Sequence, residues 1–158
     1  MTARPATPDD ADELVRLRAV LLRGGGRWTT WNDDWCEPAR QSLRKRLADP
    51  ASALGAYVVD RPRGTGLAAC AVGLIEERLG SPANPAGLSG YVFSVATDPD
   101  QRRRGHARAC LTALLEWFRA RGVRAVDLRA SAEGEPLYEQ LGFVRTADPA
   151  MRLALAES

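Results

Sequence analysis

Four arginines surround one glycine in the heptapeptide at residues 102–108, which reads RRRGHAR. Guanidinium groups bind phosphate oxygens through paired, charge-assisted hydrogen bonds. A glycine inside such a cluster lets the backbone approach a ligand closely. These residue types therefore predict binding of a phosphate-bearing ligand. Two other interpretations stay open, which are a solvated basic surface and contact with nucleic-acid phosphates.

A strand and a helix must position this cluster. Residues 91–97 are rich in β-branched and aromatic side chains, which predicts a strand, and the DPD sequence at residues 98–100 interrupts it. From residue 107 to residue 118, apolar side chains recur at helical spacing. The arginines would then lie at a helix N-terminus, where free amides and the helix dipole attract anions.

Two familiar phosphate-binding loops are absent from the sequence. No stretch carries the G-x-x-x-x-G-K-[S/T] pattern of a P-loop. The G-x-G-x-x-G pattern of dinucleotide-binding folds does not follow the first strand either. We therefore do not expect nucleotide binding through either loop.

Three segments resemble one protein family. The spacing Arg102-x-x-Gly105-x-Ala107 resembles the Q/R-x-x-G-x-G/A pyrophosphate loop of the GNAT family of N-acetyltransferases. The lead-in at residues 95–99 is similar to the family's cofactor strand and its following turn. Residues 136–143, which read PLYEQLGF, resemble its LYxxLGF segment. The order and separation of these segments identify the chain as GNAT-like over essentially its full length.

The resemblance implies acetyl-CoA as co-substrate and no metal. Amides from Arg103 through Ala107 would hold the diphosphate, and main-chain groups of Val95 and Thr97 would pair with the pantetheine arm as an added strand does. His106 occupies the variable position of the loop, so we expect it to supply an amide rather than to act as a base. The expected cofactor-binding residues are Val95, Ala96, Thr97, Arg102, Arg103, Arg104, Gly105, His106, Ala107 and Arg108.

The catalytic residues are predicted less directly. The resemblance makes Tyr138 the general acid for the departing CoA thiolate, and a packing role for its ring is the alternative. A phenol with a pKa near 10 can donate to a thiolate whose parent acid has a pKa near 8.5 when the two groups are held together. Asp127 is the first candidate base, with Glu76 and Glu77 as alternatives.

Two departures from the family pattern bear on catalysis. Phe93 and Ser94 occupy the region where many members carry a glutamate, and Ala132 stands where many carry an asparagine. A family-fold protein that senses acyl-CoA without turnover therefore stays open as an alternative to an enzyme.

An unusual loop follows the first predicted helix. It contains Trp28, Trp31 and Trp35 among three nearby acidic residues. In the family this region shapes the acceptor pocket, so the loop could bind a cationic amine through cation–π attraction and carboxylate pairing. A packed lid is the equally weighted alternative.

Length and composition exclude several classes. A chain of 158 residues with 45% hydrophobic content predicts one domain, residues 1–158, and its net charge of +2 is too small for a general nucleic-acid binder. Three cysteines without a CxxC pair predict neither a disulfide framework nor a zinc site, and a reducing cytoplasm is expected. The acidic N-terminal region does not resemble a signal peptide, and no apolar run is long enough to cross a membrane.

The order of predicted elements indicates the fold class. We predict an α+β fold, with a mixed, mostly antiparallel central sheet flanked by helices on both faces, as in GNAT proteins. The predicted strands lie at residues 2–6, 54–60, 67–77, 91–97 and 123–129, with a terminal hairpin at 143–146 and 151–155; the predicted helices begin at residues 7, 38, 107 and 133.

The predicted function is transfer of acetyl from acetyl-CoA to a primary amine of a small molecule or peptide, by direct attack in a ternary complex. No nucleic-acid or membrane partner is expected, and the sequence leaves homodimer formation open.

Overall fold

Five strands form one mixed sheet in the order β1-β2-β3-β4-β5 in the computed structural model, which describes residues 2–24 and 30–156. The strands are β1 Arg4–Pro5, β2 Leu54–Asp60, β3 Leu67–Glu77, β4 Leu88–Thr97 and β5 Ala125–Leu128. The helices are α1 Ala11–Gly24, α2 Cys36–Leu47, α3 His106–Ala120 and α4 Glu135–Gln140, and short 3-10 turns occupy Pro8–Asp10 and Pro99–Gln101.

The sheet opens between its last two strands. Strands β1 to β4 are antiparallel neighbours, whereas β5 runs parallel to β4 and pairs with it only from Ser89 to Val92. A bulge in β4 leaves Phe93 without a partner, because Val72 lies opposite Ser94 and Gly73 lies opposite Val92. Bulges bend a strand and increase its twist. The second half of β4 therefore has a free edge on the β5 side.

Each face of the sheet buries its own apolar cluster. On one face the cluster includes Leu111, Leu114 and Phe118 of α3. On the other face Leu14 and Leu17 of α1 pack against alternate residues of β2 and β3. Because strand side chains alternate between faces, both layers are built from the same strands. The predicted fold class, with helices on both faces, is confirmed.

Several predicted boundaries and one predicted element differ from the structure. Strand β4 begins at Leu88 rather than at residue 91, α2 begins at Cys36 rather than at residue 38, and α4 begins at Glu135 rather than at residue 133. The opening strand covers only Arg4–Pro5, and the strand predicted at residues 123–129 covers Ala125–Leu128. The terminal hairpin predicted at residues 143–146 and 151–155 is wrong, since no strand forms there up to residue 156.

Exposure explains the missing hairpin. Val144, Met151, Leu153 and Leu155 are each at least 80% exposed. A hairpin is stable only where its apolar face packs against another layer, and these side chains find none. None of the helices in the described ranges is long and apolar enough to cross a bilayer.

Candidate active site

The arginine-rich loop ends in an open helix N-terminus. Helix α3 begins at His106, directly after Gly105, whose φ of +80° lies in the left-handed region. A Cβ added to Gly105 would meet no atom within 4 Å, so its outer surface is free. The amides of His106, Ala107 and Arg108 have no partner within the helix because they belong to its first turn. The loop thus presents free donors on an unobstructed backbone.

The side chains of the loop add positive charge. Arg102, Arg103 and Arg104 are exposed, and none of them lies within 4 Å of a carboxylate in residues 2–24 and 30–156. The Arg108 guanidinium donates to Gln140 Oε1 and so connects α3 with α4. Helix dipole, amides and guanidinium groups all favour an anion at this point.

His106 turns its ring into the protein. The residue is 3% exposed, and neither ring nitrogen finds a hydrogen-bond partner among the described residues. Burial, followed by the charge of Arg104, lowers the pKa of the imidazole below its usual value. The buried ring has no access to the open helix start, and the role of the His106 backbone amide stays a prediction.

Strand β4 exposes main-chain groups along its free edge. The Asp98 amide donates to the Ala68 carbonyl at 2.8 Å. Because main-chain N–H and C=O groups alternate in direction along an antiparallel strand, those of the even-numbered residues before Asp98 also point towards β3. The main-chain groups of Val95 and Thr97 therefore point to the open edge beyond the end of β5. Ala96 is 6% exposed and packs into the α1-side cluster. The edge leads straight into the arginine loop.

Tyr138 lies on α4 beside the α3-side cluster. Its ring packs edge-on against Phe143 with centroids 5.9 Å apart, and it also covers Gly134. The residue is half-buried, and burial raises the pKa of the phenol above its ordinary value. The hydroxyl is therefore protonated at neutral pH.

The three candidate bases occupy different surroundings. Asp127 is exposed on β5 opposite Tyr91, and it points to the α1 face because Val126 and Leu128 pack on the α3 side. Glu76 accepts a hydrogen bond from Arg78 Nη2 at 2.8 Å, so it is already ion-paired. Glu77 is exposed, and strand alternation from Ile75 puts it on the α3 side.

The tryptophan loop is described in part. Trp28 lies outside the described residues. Trp31 and Trp35 meet edge to face with centroids 5.9 Å apart, and Trp31 Nε1 donates to Asp33 Oδ1 at 3.0 Å. The guanidinium carbon of Arg23 lies 4.5 Å from the Trp31 ring centre. One face of that ring is therefore occupied by a cation of the protein itself.

Two features of the site were missed by sequence reasoning. Asp98, which is 7% exposed, accepts hydrogen bonds from Arg16 of α1 and from Arg61, and so anchors the turn after β4. Arg18 reaches β4 from the same helix, and its Nη1 lies 3.3 Å from Ser94 Oγ. A signal for Arg18 was available, since it follows Leu17 within the apolar stripe of α1.

Two other kinds of chemistry, thiolate attack by Cys70 or Cys110 and metal binding, find no support among the described residues. Burial raises the pKa of the Cys70 and Cys110 thiols to about 12, so neither is a thiolate at neutral pH. In residues 2–24 and 30–156, no three histidine, cysteine or carboxylate side chains converge closely enough to hold a metal ion.

Comparison with known proteins gives consistent matches. The sequence model of the acetyltransferase (GNAT) family matches residues 26–143. An uncharacterised N-acetyltransferase of Methanocaldococcus jannaschii is 27% identical over 149 residues, which are 90% of this chain and 60% of that protein. The [ribosomal protein bS18]-alanine N-acetyltransferase of Escherichia coli K12 is 44% identical over 55 residues, which are 33% of this chain and 37% of the enzyme.

The matches therefore span less than two thirds of the length of these two relatives. Among solved structures, a predicted acetyltransferase of Clostridium acetobutylicum with acetyl-CoA is 25% identical and superimposes with a TM-score of 0.82. That superposition covers 98% of this chain and 96% of the other.

Proposed function

The chain belongs to the GNAT acetyltransferase family, and on that basis we propose that it transfers acetyl from acetyl-CoA to a primary amine. The acceptor is a small molecule or a peptide, and attack is direct within a ternary complex. In this proposal, residues 1–158 form one acetyltransferase domain. The proposed location is the cytoplasm, because the three cysteines are free and free thiols are typical of a reducing compartment.

The observation that carries this proposal is the free edge of β4 and its continuation into the open arginine loop. CoA has a strand-like pantetheine arm followed by a diphosphate and a 3′-phosphate. The outward main-chain groups of Val95 and Thr97 suit the arm, since an extended chain can add to a free sheet edge. The free amides and arginines of residues 102–108 suit the phosphates. One ligand thus accounts for both features.

The proposed reaction removes two protons from the acceptor nitrogen and adds one to the CoA sulfur. The acceptor ammonium loses a proton to Asp127, directly or through water, and the free amine attacks the thioester carbonyl carbon. When the tetrahedral intermediate collapses, the carbon–sulfur bond breaks and the sulfur leaves with the electron pair. Tyr138 gives its phenolic proton to this thiolate, the acceptor nitrogen loses its second proton to water, and Tyr138 is reprotonated from solvent, so that one proton is released in net. The neutral phenol and the buried thiols support direct attack without an acyl-enzyme intermediate.

The acceptor would enter from the α1 face of the sheet, beside Trp31 and Trp35. The E. coli relative acts on an alanine of a ribosomal protein, which supports including peptide N-termini among the acceptors to be tested. Trp28, which lies outside the described residues, is included among the proposed acceptor-binding residues from the sequence alone.

A second candidate function is acyl-CoA sensing without turnover. Phe93 and Ser94 supply no carboxylate at the bulge of β4, which favours this alternative. Incubation with acetyl-CoA and a panel of amines separates the two, because amine-dependent release of free thiol requires an enzyme. Tight acetyl-CoA binding without thiol release on every amine would favour the sensor.

The loop assignment is tested by Gly105→Asp. A side chain there would block the approach of the diphosphate, and its charge would repel it, so we expect acetyl-CoA binding to be lost in calorimetry. Gly64→Asp is the matched control: Gly64 has a φ of +84° and equally free surroundings, but lies in the β2–β3 turn. Both variants carry similar backbone strain. Wild-type affinity in Gly105→Asp, or equal loss in both variants, would contradict the assignment.

A further inference from the structure

Arg18 is a half-buried cation without a carboxylate partner among the described residues. It projects from α1 onto the bulged part of β4, where its guanidinium carbon lies 5.7 Å from the Phe93 ring centre. Its Nη1 donates one hydrogen bond, to Ser94 Oγ at 3.3 Å. A guanidinium has five N–H donors, so most of them are left for another partner.

Two other partly buried arginines, Arg4 and Arg16, are neutralised by carboxylates. Arg4 pairs with Asp10 and Asp60, and Arg16 pairs with Glu13 and Asp98. Burying a charge is costly unless it is paired, and burial lowers the pKa of the Arg18 guanidinium. Arg46 and Arg121 also lack a carboxylate among the described residues, but each guanidinium donates two hydrogen bonds, to Ser42 Oγ and to the carbonyls of Ala51 and Ser52 respectively. Arg18 thus combines partial desolvation, one hydrogen bond and no described carboxylate partner at the bulge of β4. A functional site is where such a cost is expected.

That point lies where the proposed reaction would occur. If the diphosphate binds at residues 102–108 and the pantetheine arm runs past Thr97 and Val95, the thioester comes next to Phe93. Arg18 reaches this position from the α1 face. Asp127 lies on the same face, opposite Tyr91, two positions before Phe93 along the sheet. A negative and a positive side chain therefore flank the expected place of the acceptor.

We propose that Arg18 binds a carboxylate carried by the acceptor, so that the substrate is an amine with an anionic group near the nucleophile. This inference rests on the proposed function. A planar guanidinium pairs with a carboxylate through two parallel hydrogen bonds, which fixes position as well as charge. The carboxylate belongs to a free amino acid or to an acidic residue near a peptide N-terminus.

Matched acceptor pairs test the inference. Each pair presents one amine with and without the negative charge: an amino acid and its amide, and a peptide with Glu or Gln after its N-terminal residue. For wild-type protein we expect kcat/KM to favour the acid of at least one pair by roughly 10–100-fold, the range of a charged hydrogen bond. Which pair shows the preference identifies the source of the carboxylate.

Substitution of Arg18 then assigns the preference to this residue. In Arg18→Gln the ratio of kcat/KM for the acid to kcat/KM for its neutral partner should fall towards one, through a higher KM for the acid. The acetyl-CoA Kd should be unchanged. The melting temperature should not fall, because no ion pair of the protein is lost. Arg119→Gln is the control, since Arg119 is exposed on α3 and pairs only with Glu116 among the described residues; it should keep the wild-type ratio.

Measuring the binding of each acid makes the test independent of turnover. The Kd of each acid is measured by calorimetry on protein saturated with CoA, in wild type and in Arg18→Gln. Equal affinity for acid and neutral partners in wild type, or a preference that survives in Arg18→Gln, overturns the inference even if no amine is acetylated. Acid binding that depends on Arg18, without thiol release on any acceptor, instead overturns the proposed acetyl transfer and leaves Arg18 as an anion site.

Discussion

The Tyr138 phenol combines a packed ring with a proton available for donation. Tyr138→Phe keeps the contact with Phe143 and removes only the hydroxyl. We expect kcat to fall by about 10²-fold, the low end of general acid catalysis, because a CoA thiolate is already a fair leaving group. The Kd of acetyl-CoA should not change. Steady-state kinetics on an amine shown to be a substrate, together with calorimetry, measure both quantities.

The pH profile provides a second readout for Tyr138. Because burial raises the phenol pKa above its ordinary value of about 10, the acid form persists through the neutral range. Loss of activity between pH 7 and pH 9 should therefore not arise from Tyr138, and the Phe variant should keep the wild-type profile shape there. Full turnover by a folded Tyr138→Phe variant would make this residue a packing residue only.

Individual site residues differ in how far the sequence could predict them. The position of Gly105 at the start of a helix was predictable because it depends on local sequence, and the function of the loop residues stays a prediction. For Arg18 the sequence could indicate only a place within the apolar stripe of α1, since its contact with Ser94 joins residues 76 positions apart and exists only after α1 packs on the sheet. The neutralised arginines raise the same difficulty, as sequence alone does not say which carboxylate each one meets.

At the level of elements, Asp98 connects α1 with the turn that leads into the arginine loop. Its carboxylate accepts hydrogen bonds from Arg16 at 2.9 and 2.9 Å and from Arg61 at 2.6 Å. Asp98→Asn leaves two guanidinium groups without their shared anion. We expect a loss of roughly 2–3 kcal/mol in the free energy of unfolding, below the range for fully buried pairs, because the Arg16 side chain is 40% exposed.

An exposed ion pair serves as the control for Asp98. Asp12 also bridges two arginines, Arg40 and Arg44, but its side chain is 71% exposed. Asp12→Asn should cost no more than about 1 kcal/mol. Urea denaturation of both variants gives the comparison, and similar costs would show that Asp98 is as well solvated as a surface carboxylate. A weaker acetyl-CoA affinity in Asp98→Asn alone would support its role in holding the loop.

Elements with strong periodicity were the ones that sequence could predict. The apolar stripes of α1 and α3 and the β-rich runs of β2, β3 and β4 appear where expected, because local propensity and burial agree there. The bulge at Phe93 and the early end of β5 could not be predicted. Both depend on how neighbouring strands align, and no single strand carries that information.

At the level of the whole molecule, the terminal hairpin is an element that the sequence pattern predicted and that does not form. Met151, Leu153 and Leu155 alternate as in a half-buried strand, yet all three are at least 80% exposed. Alternation is a necessary feature of such a strand and is not sufficient, because the strand also needs a surface to pack on. Phe118 is the opposite case, since α3 and the sheet close around its ring.

A pair of substitutions compares the buried core around Phe118 with the exposed C-terminal segment. Phe118 is 1% exposed, and its ring lies 2.8 Å from the position that a Cβ would take at Gly73 or at Gly90, so the two glycines make room for it. Phe118→Ala should lower the free energy of unfolding by about 3–5 kcal/mol. Leu155→Ala, at a side chain that is 92% exposed, should change it by no more than about 0.5 kcal/mol.

Urea denaturation with the midpoint and slope fitted together measures both changes, and the slope checks that each variant unfolds in a single step. A cost above about 2 kcal/mol for Leu155→Ala, within the range for truncating a buried leucine, would mean that the C-terminal segment packs in solution. The alternation of Met151, Leu153 and Leu155 would then report a real strand, paired with β5 or with a second copy of the chain. A near-zero cost beside a large one at Phe118 would confirm that the stabilising layers end at the sheet and its helices.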